Sequence, residues 1–414
     1  MSFMTRAAAR TALAWALATM LPAGASWALA QPLTLAEALE KARVSSPAVQ
    51  IANAEIDAAR GRVTQADTGL NPELSYEVEN FGGNGGLRGL DNAESTFGLS
   101  QVIELGGKQS ARRDAATKLA DAAIVRSWIA RADLDLAVRE RFAELAAAED
   151  RVDLGKAASD RADRLVAIAS KLVDAGREPP LRLLRAQAAA AEANADLVIA
   201  NGVRSAARRA LAALWGESED AIDATGPWEL GELTAISADQ SLDYLLAAAD
   251  HGAAESAVRL EQANAWIDVT VDAGIRRFEA TDEQAFVAGI RIPIPIQNSN
   301  GGAIAAARAD DRAAKIRLNV ALADATRRIN DARSAFDAAE ARVAALEAGA
   351  VRQAEEALSL AQVGYEAGRF QLIDVLDAEQ ALAGIRSALI DAKLARARAA
   401  AALLRATAHQ GAVQ

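Results

Sequence analysis

The sequence predicts a mainly α-helical protein with a small membrane β part. Proline-free stretches far longer than an ordinary helix occur twice, and each follows two short segments in which apolar and polar residues alternate. The two halves also share a local repeat: residues 172–186 and 364–378 carry Ala-Gly-Arg in register, 192 positions apart. Internal repetition on this scale predicts a duplicated long-helix hairpin.

The first thirty residues, 1–30, have the pattern of a secretory signal peptide. Arg6 and Arg10 precede an apolar stretch at 11–21, and Ala28-Leu29-Ala30 provides a small-residue cleavage site. An N-terminal membrane anchor is the alternative, but the apolar stretch is shorter than the roughly 20 residues that span a bilayer. We therefore expect a mature chain that starts at Gln31 and leaves the cytoplasm.

The composition excludes several classes of function. The chain has no cysteine, so disulfide frameworks, lipid attachment at a cysteine and thiolate metal sites are absent. Its net charge is −11, and −13 once Arg6 and Arg10 are removed with the signal, which argues against a nucleic-acid partner. Metalloprotease and phosphate-binding motifs are missing too. We expect no catalytic residue, no metal ligand and no cofactor, with the only histidines, His251 and His409, far apart in sequence.

The first structural repeat is assigned to residues 31–215. Thr34 with Glu37 three residues later forms a capping-box pattern, which predicts a helix start. A second helix is predicted from Pro47 to about Gly69, followed by strands, a long helix and a tip turn. The predicted ranges are strands 72–81 and 95–105, a helix at 108–173 and a tip near 174–180. At about 1.5 Å per residue, this helix would be a rod roughly 100 Å long.

The second structural repeat is assigned to residues 241–414. It begins with a helix at Leu242 and continues with strands at about 266–276 and 285–296, a long helix at 303–366 and a tip near 365–370. Pro293 and Pro295 suit a strand end or an edge, because proline donates no backbone hydrogen bond. Residues 216–240 lack periodicity and are predicted to connect the repeats rather than to form a domain.

The predicted strands would be incomplete within one chain. Four strands are too few to close a membrane barrel, for which about eight is the smallest number, and an open sheet in lipid would leave unpaired edges. Two copies would supply eight strands and three would supply twelve, and the strand count does not choose between them. A small soluble sheet packed on helices is the alternative reading of the same alternation.

Four segments resemble one protein family. Residues 71–83 and 99–108 in the first half, and 290–296 and 364–378 in the second, are similar to outer-membrane efflux proteins of the TolC family. Within that family the chain most resembles the outer-membrane component of cobalt-zinc-cadmium type heavy-metal efflux systems. The resemblance covers essentially the whole mature chain.

The resemblance implies an architecture, a location and partners. It implies a homotrimer in which four strands per subunit form a twelve-stranded β-barrel in outer-membrane lipid, while the long helices form an α-barrel in the periplasm. It also implies a tripartite pump with a periplasmic adaptor (membrane fusion) protein and a proton-driven inner-membrane RND transporter. The chain would be the passive exit duct of that pump, not an enzyme.

Five residues near the two tips are candidates for a periplasmic gate. Asp374 and Asp377 lie three apart on one helix face, and the resemblance places such aspartates at the constriction of the tunnel. Their counterparts 192 positions earlier are Arg182 and Arg185, so we expect the pairs to meet across neighbouring hairpins. The alternative is that the acids only stabilise a helix start. Tyr365 also matches a gate position, whereas Phe370 stands where the basic gate residue of the family would fall.

The tips are candidates for adaptor binding. Gly176 with Arg177, and Gly368 with Arg369, form two similar reversals of the chain, and the resemblance implies that such tips receive the adaptor. The alternative is that they are only tight turns, which need glycine. Two further functions stay open: a similar duct for drugs or secreted polypeptides, and a periplasmic coiled-coil scaffold without a pore.

Overall fold

A computed structural model describes residues 33–217 and 236–410 of the chain. The predicted signal peptide at 1–30 and most of the predicted connecting segment at 216–240 lie outside this range. Eight α-helices and four β-strands occur within these residues. In chain order they are α1 Leu35–Ser45, α2 Pro47–Ala66, β1 Glu73–Glu79, β2 Glu94–Ile103, α3 Lys108–Asp174, α4 Pro180–Ala212, α5 Leu242–Asn264, β3 Val269–Phe278, β4 Glu283–Arg291, α6 Gly301–Ala345, α7 Val351–Glu366 and α8 Leu372–Ala406.

Local sequence signals set the helix starts. The Thr34 side chain accepts a hydrogen bond from the Glu37 backbone N–H at 3.3 Å, and the Glu37 carboxylate accepts one from the Thr34 N–H at 2.8 Å. This capping box is the predicted one. Ser46 caps α2, with Pro47 in the first helical position, where its missing N–H costs nothing. α2 ends at Ala66 rather than near Gly69.

α3 is the spine of the subunit. It runs for 67 residues and packs against α1, α2, α4, α5 and α8. Near the middle of α3, apolar residues recur at spacings of three and four and are buried against residues of α1, α2 and α4. They are Leu134, Val138, Phe142 and Leu145. Leu136, two residues from Leu134 and Val138, is only half-buried.

The second rod is not one regular helix. α6 ends at Ala345 and α7 begins at Val351, and the residues between them, Leu346–Ala350, form a π-helical turn. Gly349 lies in this turn and weakens the α-helical preference locally. The rod predicted at 303–366 is therefore two α-helices joined by a local change of hydrogen-bond spacing.

The strands form one antiparallel sheet in the order β1-β2-β3-β4, so the two halves of the chain meet at the β2–β3 pair. Leu74 lies opposite Leu99, which lies opposite Ala273 on the next strand. β4 ends at Arg291, short of the predicted 296, because Pro293 and Pro295 cannot donate to the ladder. β3 extends to Phe278, two residues beyond its predicted end.

The sheet has two unlike faces. The exposed large apolar side chains share one face and include Leu74, Tyr76, Phe97, Leu99, Val271, Ile275, Phe286 and Ile290. The opposite face is mostly polar or small, and there Arg276 bonds Glu79 and Glu94, each at 3.0 Å. Among the helices of the described ranges, none is long and apolar enough to cross a bilayer.

Candidate functional site at the tips of the hairpins

The two tip turns have the same backbone geometry. In the first, the Gly176 N–H donates to the Val173 carbonyl and the Arg177 N–H to the Leu172 carbonyl, each at 2.9 Å. In the second, the Gly368 N–H donates to Tyr365 at 2.9 Å and the Arg369 N–H to Gly364 at 2.8 Å. Both patterns are Schellman caps, which require a left-handed residue after the helix. Gly176 and Gly368 supply it with φ of 68° and 72°.

The tips lie side by side. Gly368 faces Arg177, since a Cβ placed on Gly368 would be 3.4 Å from Arg177 Nη2. Beneath them, α3, α4, α7 and α8 share a buried apolar cluster of Leu165, Ala169, Ala186, Ala354, Leu358, Ala361, Tyr365, Leu372, Val375 and Leu382. This cluster holds the two hairpins together, so the four predicted tip residues lie near one another.

Asp374 has a structural partner at the start of α8. Its carboxylate accepts a hydrogen bond from the Gln371 backbone N–H at 2.7 Å, as part of a capping box. This contact is the one expected if Asp374 stabilises the start of a helix, which was the alternative to a gate role. Asp377, one turn later, is exposed, and so is the rest of the Asp374 side chain.

Within one subunit the predicted Arg–Asp pairs do not form. Arg182 instead contacts Glu178 at 3.5 Å and donates to the Gln371 side-chain oxygen at 3.3 Å. Arg185 is exposed on α4. A meeting of these arginines with Asp374 or Asp377 stays a prediction about contacts between neighbouring subunits.

Tyr365, a predicted gate residue, is buried at the tip of the single subunit, and its role in a gate stays a prediction. Only 2% of its surface is exposed, and its hydroxyl is buried without a hydrogen-bond partner. Burial raises the pKa of the Tyr365 phenol, the Glu178 carboxylate raises it further, and Arg182 opposes the rise. Phe370 lies over Gly364 so closely that a Cβ there would be 2.1 Å from the ring. An aromatic contact thus occupies the position where the resemblance would place a basic residue.

The structure adds a polar contact that the sequence analysis missed. Arg161 of α3 donates to Glu379 of α8 at 2.7 Å, and both side chains are largely buried. Gln362 of α7 also donates to Glu379, at 3.1 Å. A cavity of about 110 Å³ adjoins them, lined in part by Arg161, Gln362, Tyr365 and Glu379. No local motif marks this contact, because Arg161 and Glu379 are 218 positions apart.

Further ion pairs join α3 to α8 away from the tips. They are Arg151–Asp391 at 2.6 Å, Glu144–Arg398 at 2.7 Å and Asp133–Arg405. Burial alone would raise the pKa of Glu144, but hydrogen bonds from Arg398 and Arg141 outweigh it and lower that pKa. Half-exposed ion pairs contribute about 0–1 kcal/mol each to folding stability. These pairs therefore fix the position of α8 along α3 more than they stabilise the fold.

The two aspartates are expected to differ when they are replaced. Asp374→Ala removes one hydrogen bond of the capping box of α8 and should lower stability by about 0.5–1.5 kcal/mol, whereas Asp377→Ala should leave it nearly unchanged. Thermal unfolding of the purified protein measures both. Equal unfolding temperatures for the two variants would show that the Asp374 cap contributes nothing.

Comparisons with known proteins cover most of the chain. The sequence model of the family described as "Outer membrane efflux protein" matches residues 38–217 and 237–409. The cobalt-zinc-cadmium resistance protein CzcC of Cupriavidus metallidurans is 31% identical over 365 residues, which is 85% of this chain and 84% of that protein. The nickel and cobalt resistance protein CnrC of the same organism is 31% identical over 305 residues, 72% of each chain.

A solved structure shares the fold. The outer membrane protein VceC of Vibrio cholerae superposes with a TM-score of 0.73 at 26% identity, covering 90% of this chain and 95% of that one.

Proposed function

Because this chain belongs to the outer membrane efflux protein family, we propose that three copies of it form the exit duct of a tripartite efflux pump in the outer membrane. In this proposal the duct passes its substrate from the periplasm to the exterior without catalysis. Each copy contributes four strands to a closed sheet of twelve, and the long helices surround the periplasmic passage.

The observation that carries the proposal is the two-faced sheet. Phe286 is 91% exposed, Leu74 76% and Ile290 70%, all on the same face. Apolar surface costs about 25 cal/mol per Å² when it is left in water, so this face requires a nonaqueous neighbour. Lipid satisfies it, while the face that carries Arg276, Glu79 and Glu94 suits a water-filled interior.

Exposed apolar positions on the long helices support assembly of several copies. On α4, Leu181, Leu184, Val198, Ile199 and Val203 are exposed, and on α6, Ile316, Val320 and Leu322 are exposed. These positions lie on rods of 33 and 45 residues. Contact with the rods of neighbouring copies would bury them, as in other long-helix assemblies.

The periplasmic end would hold the gate and the adaptor site. Asp374 and Asp377 of three copies would place six carboxylates near one axis, which favours cations over anions. Arg182 and Arg185 of a neighbouring copy are the proposed partners that help to keep this end closed. The exposed turns at Gly176, Arg177, Gly368 and Arg369 are the proposed contact for a periplasmic adaptor, which would link the duct to an inner-membrane RND transporter.

The proposed substrate class is heavy-metal cations. Two relatives that match most of this chain are named for resistance to cobalt, zinc, cadmium and nickel. The anionic charge of the chain and its lack of cysteine suit passage of cations without tight retention. A similar duct for drugs or secreted polypeptides is the alternative, because the sheet and the long helices do not select a substrate by themselves.

Growth of a deletion strain tests the substrate. Loss of tolerance to zinc, cobalt, cadmium or nickel, with unchanged tolerance to antibiotics, is the expected result. The opposite pattern would favour a drug duct. Unchanged tolerance to both, together with release of the protein from membranes by salt washing, would favour a scaffold without a pore.

A further inference from the structure

A cluster of potential metal ligands joins α5 to α6, far from the tips. His251 Nε2 lies 3.3 Å from Asp311 Oδ1 and 3.8 Å from Glu255 Oε1. One ligand atom from each of the three residues lies within 4.8 Å of the other two. His251 and Glu255 are one helical turn apart on α5, and Asp311 projects from α6. The sequence predicts no metal ligand, because it has no cysteine and its two histidines are far apart. Asp311 is 60 positions from His251.

The carboxylate of Asp311 lacks a hydrogen-bond donor for one of its oxygens. Asp311 Oδ1 is buried and has no hydrogen-bond partner, although it faces the imidazole of His251. The His251 side chain is 18% exposed and the Asp311 side chain 30% exposed, so the buried oxygen is on the side of Asp311 that faces His251. A buried acceptor without a donor is unfavourable, and a bound cation would satisfy it.

Two cationic side chains of α3 that face α5 bond carboxylates outside the cluster. Arg126 of α3, which faces α5, bonds Asp250 at 2.7 Å. Lys118 of α3 passes Gly252 but bonds Asp121 at 3.1 Å. Among the ion pairs of the described residues, Glu255 and Asp311 pair with His251 and with no lysine or arginine, which leaves their carboxylates able to bind a cation.

We propose that His251, Glu255 and Asp311 form a binding site for one divalent transition-metal ion per subunit, of the zinc, cobalt or nickel class. One imidazole nitrogen and two carboxylate oxygens match the ligands these ions take, whereas copper(I) and silver(I) prefer sulfur. In a tetrahedral zinc site with bonds of about 2.0–2.1 Å, ligand atoms lie about 3.3 Å apart, which is the separation of His251 from Asp311. A small movement of Glu255 and one water would complete the coordination.

The bound ion would clamp α5 to α6 near the sheet. Asp311 is ten residues after the start of α6 at Gly301, or about 15 Å along it. Four residues separate α5 from β3 and nine separate β4 from α6, so the clamp would steady the junction of helices and sheet. The site uses residues of one subunit alone, and its affinity is independent of whether the assembled duct conducts metal ions.

Metal titration of the purified full-length protein tests the site. After treatment with a chelator, the wild type is titrated with zinc by calorimetry and with cobalt by visible absorption, which reports tetrahedral coordination. His251→Ala and Asp311→Asn should each weaken binding by about 10-fold or more. His409→Ala is the matched control, because it removes the other histidine and leaves the cluster intact.

A thermal measurement distinguishes a metal site from a protonated ion pair. Zinc should raise the unfolding temperature of the wild type and of His409→Ala, but not of His251→Ala, and magnesium should not replace it. Circular dichroism without metal checks that the variants fold. Equal zinc affinity in the wild type and His251→Ala, or no stoichiometric zinc binding by a folded wild type, would overturn the proposal.

Discussion

Replacing Phe286 with arginine is expected to remove most of the assembled protein from the outer membrane. Phe286 is the most exposed large apolar residue of the sheet and lies opposite Ile275 on β3. An arginine facing the lipid of a β-sheet membrane protein costs about 2–4 kcal/mol at the bilayer midplane, and every copy in the ring would carry it. The heat-resistant oligomer in outer-membrane extracts measures the loss.

Val287→Arg is the matched control for this substitution. Val287 is the next residue on β4, so its side chain points to the polar face, and it lies opposite Gly274, which has no side chain. An arginine there would face water and should leave most of the oligomer in place. Equal loss in both variants would mean that the two faces of the sheet do not have different surroundings.

A bulky side chain at the tips is expected to abolish adaptor binding while the oligomer persists. Gly176→Trp places a large ring on the exposed first turn, and Gly368→Trp places one beside Arg177. Crosslinking to the adaptor in cells measures binding, and the heat-resistant oligomer measures assembly. We expect crosslinking to be lost in both variants.

Alanine substitutions at the same positions distinguish the effect of side-chain size from the effect of backbone strain. Both glycines have positive φ, so any L-residue there carries roughly 1–2 kcal/mol of strain. Gly176→Ala and Gly368→Ala share that strain without the bulk, and they should keep most of the crosslinking. Full crosslinking in the tryptophan variants would show that the adaptor binds elsewhere.

Features with a local cause were predictable from the sequence. The Thr34 capping box, the length of α3 and the alternation of the strands each follow from neighbouring residues, and the structure has all three. The hydrogen bond between Asp374 and the Gln371 backbone also has a local cause, and a helix-start role was the alternative given for Asp374. Strand β4 was predicted too long because its apolar pattern continues through two prolines that end the ladder.

Features that depend on distant residues could not be predicted. The pairing of Arg161 with Glu379 depends on how α8 lies along α3. The approach of Asp311 to His251 depends likewise on how α6 lies along α5. The i, i+4 spacing of His251 and Glu255 was visible in the sequence, but two ligands on one helix do not define a metal site. The position of Tyr365 in the tip cluster also depends on packing between two hairpins.

The mass of the detergent-extracted protein tests the central claim most directly. The four strands of one chain form an open sheet with an exposed apolar face, and three copies would close it into a barrel in lipid. Light scattering, with the contribution of the detergent subtracted, should give three times the mass of one mature chain. A single chain that stays monodisperse in buffer without detergent would contradict the account.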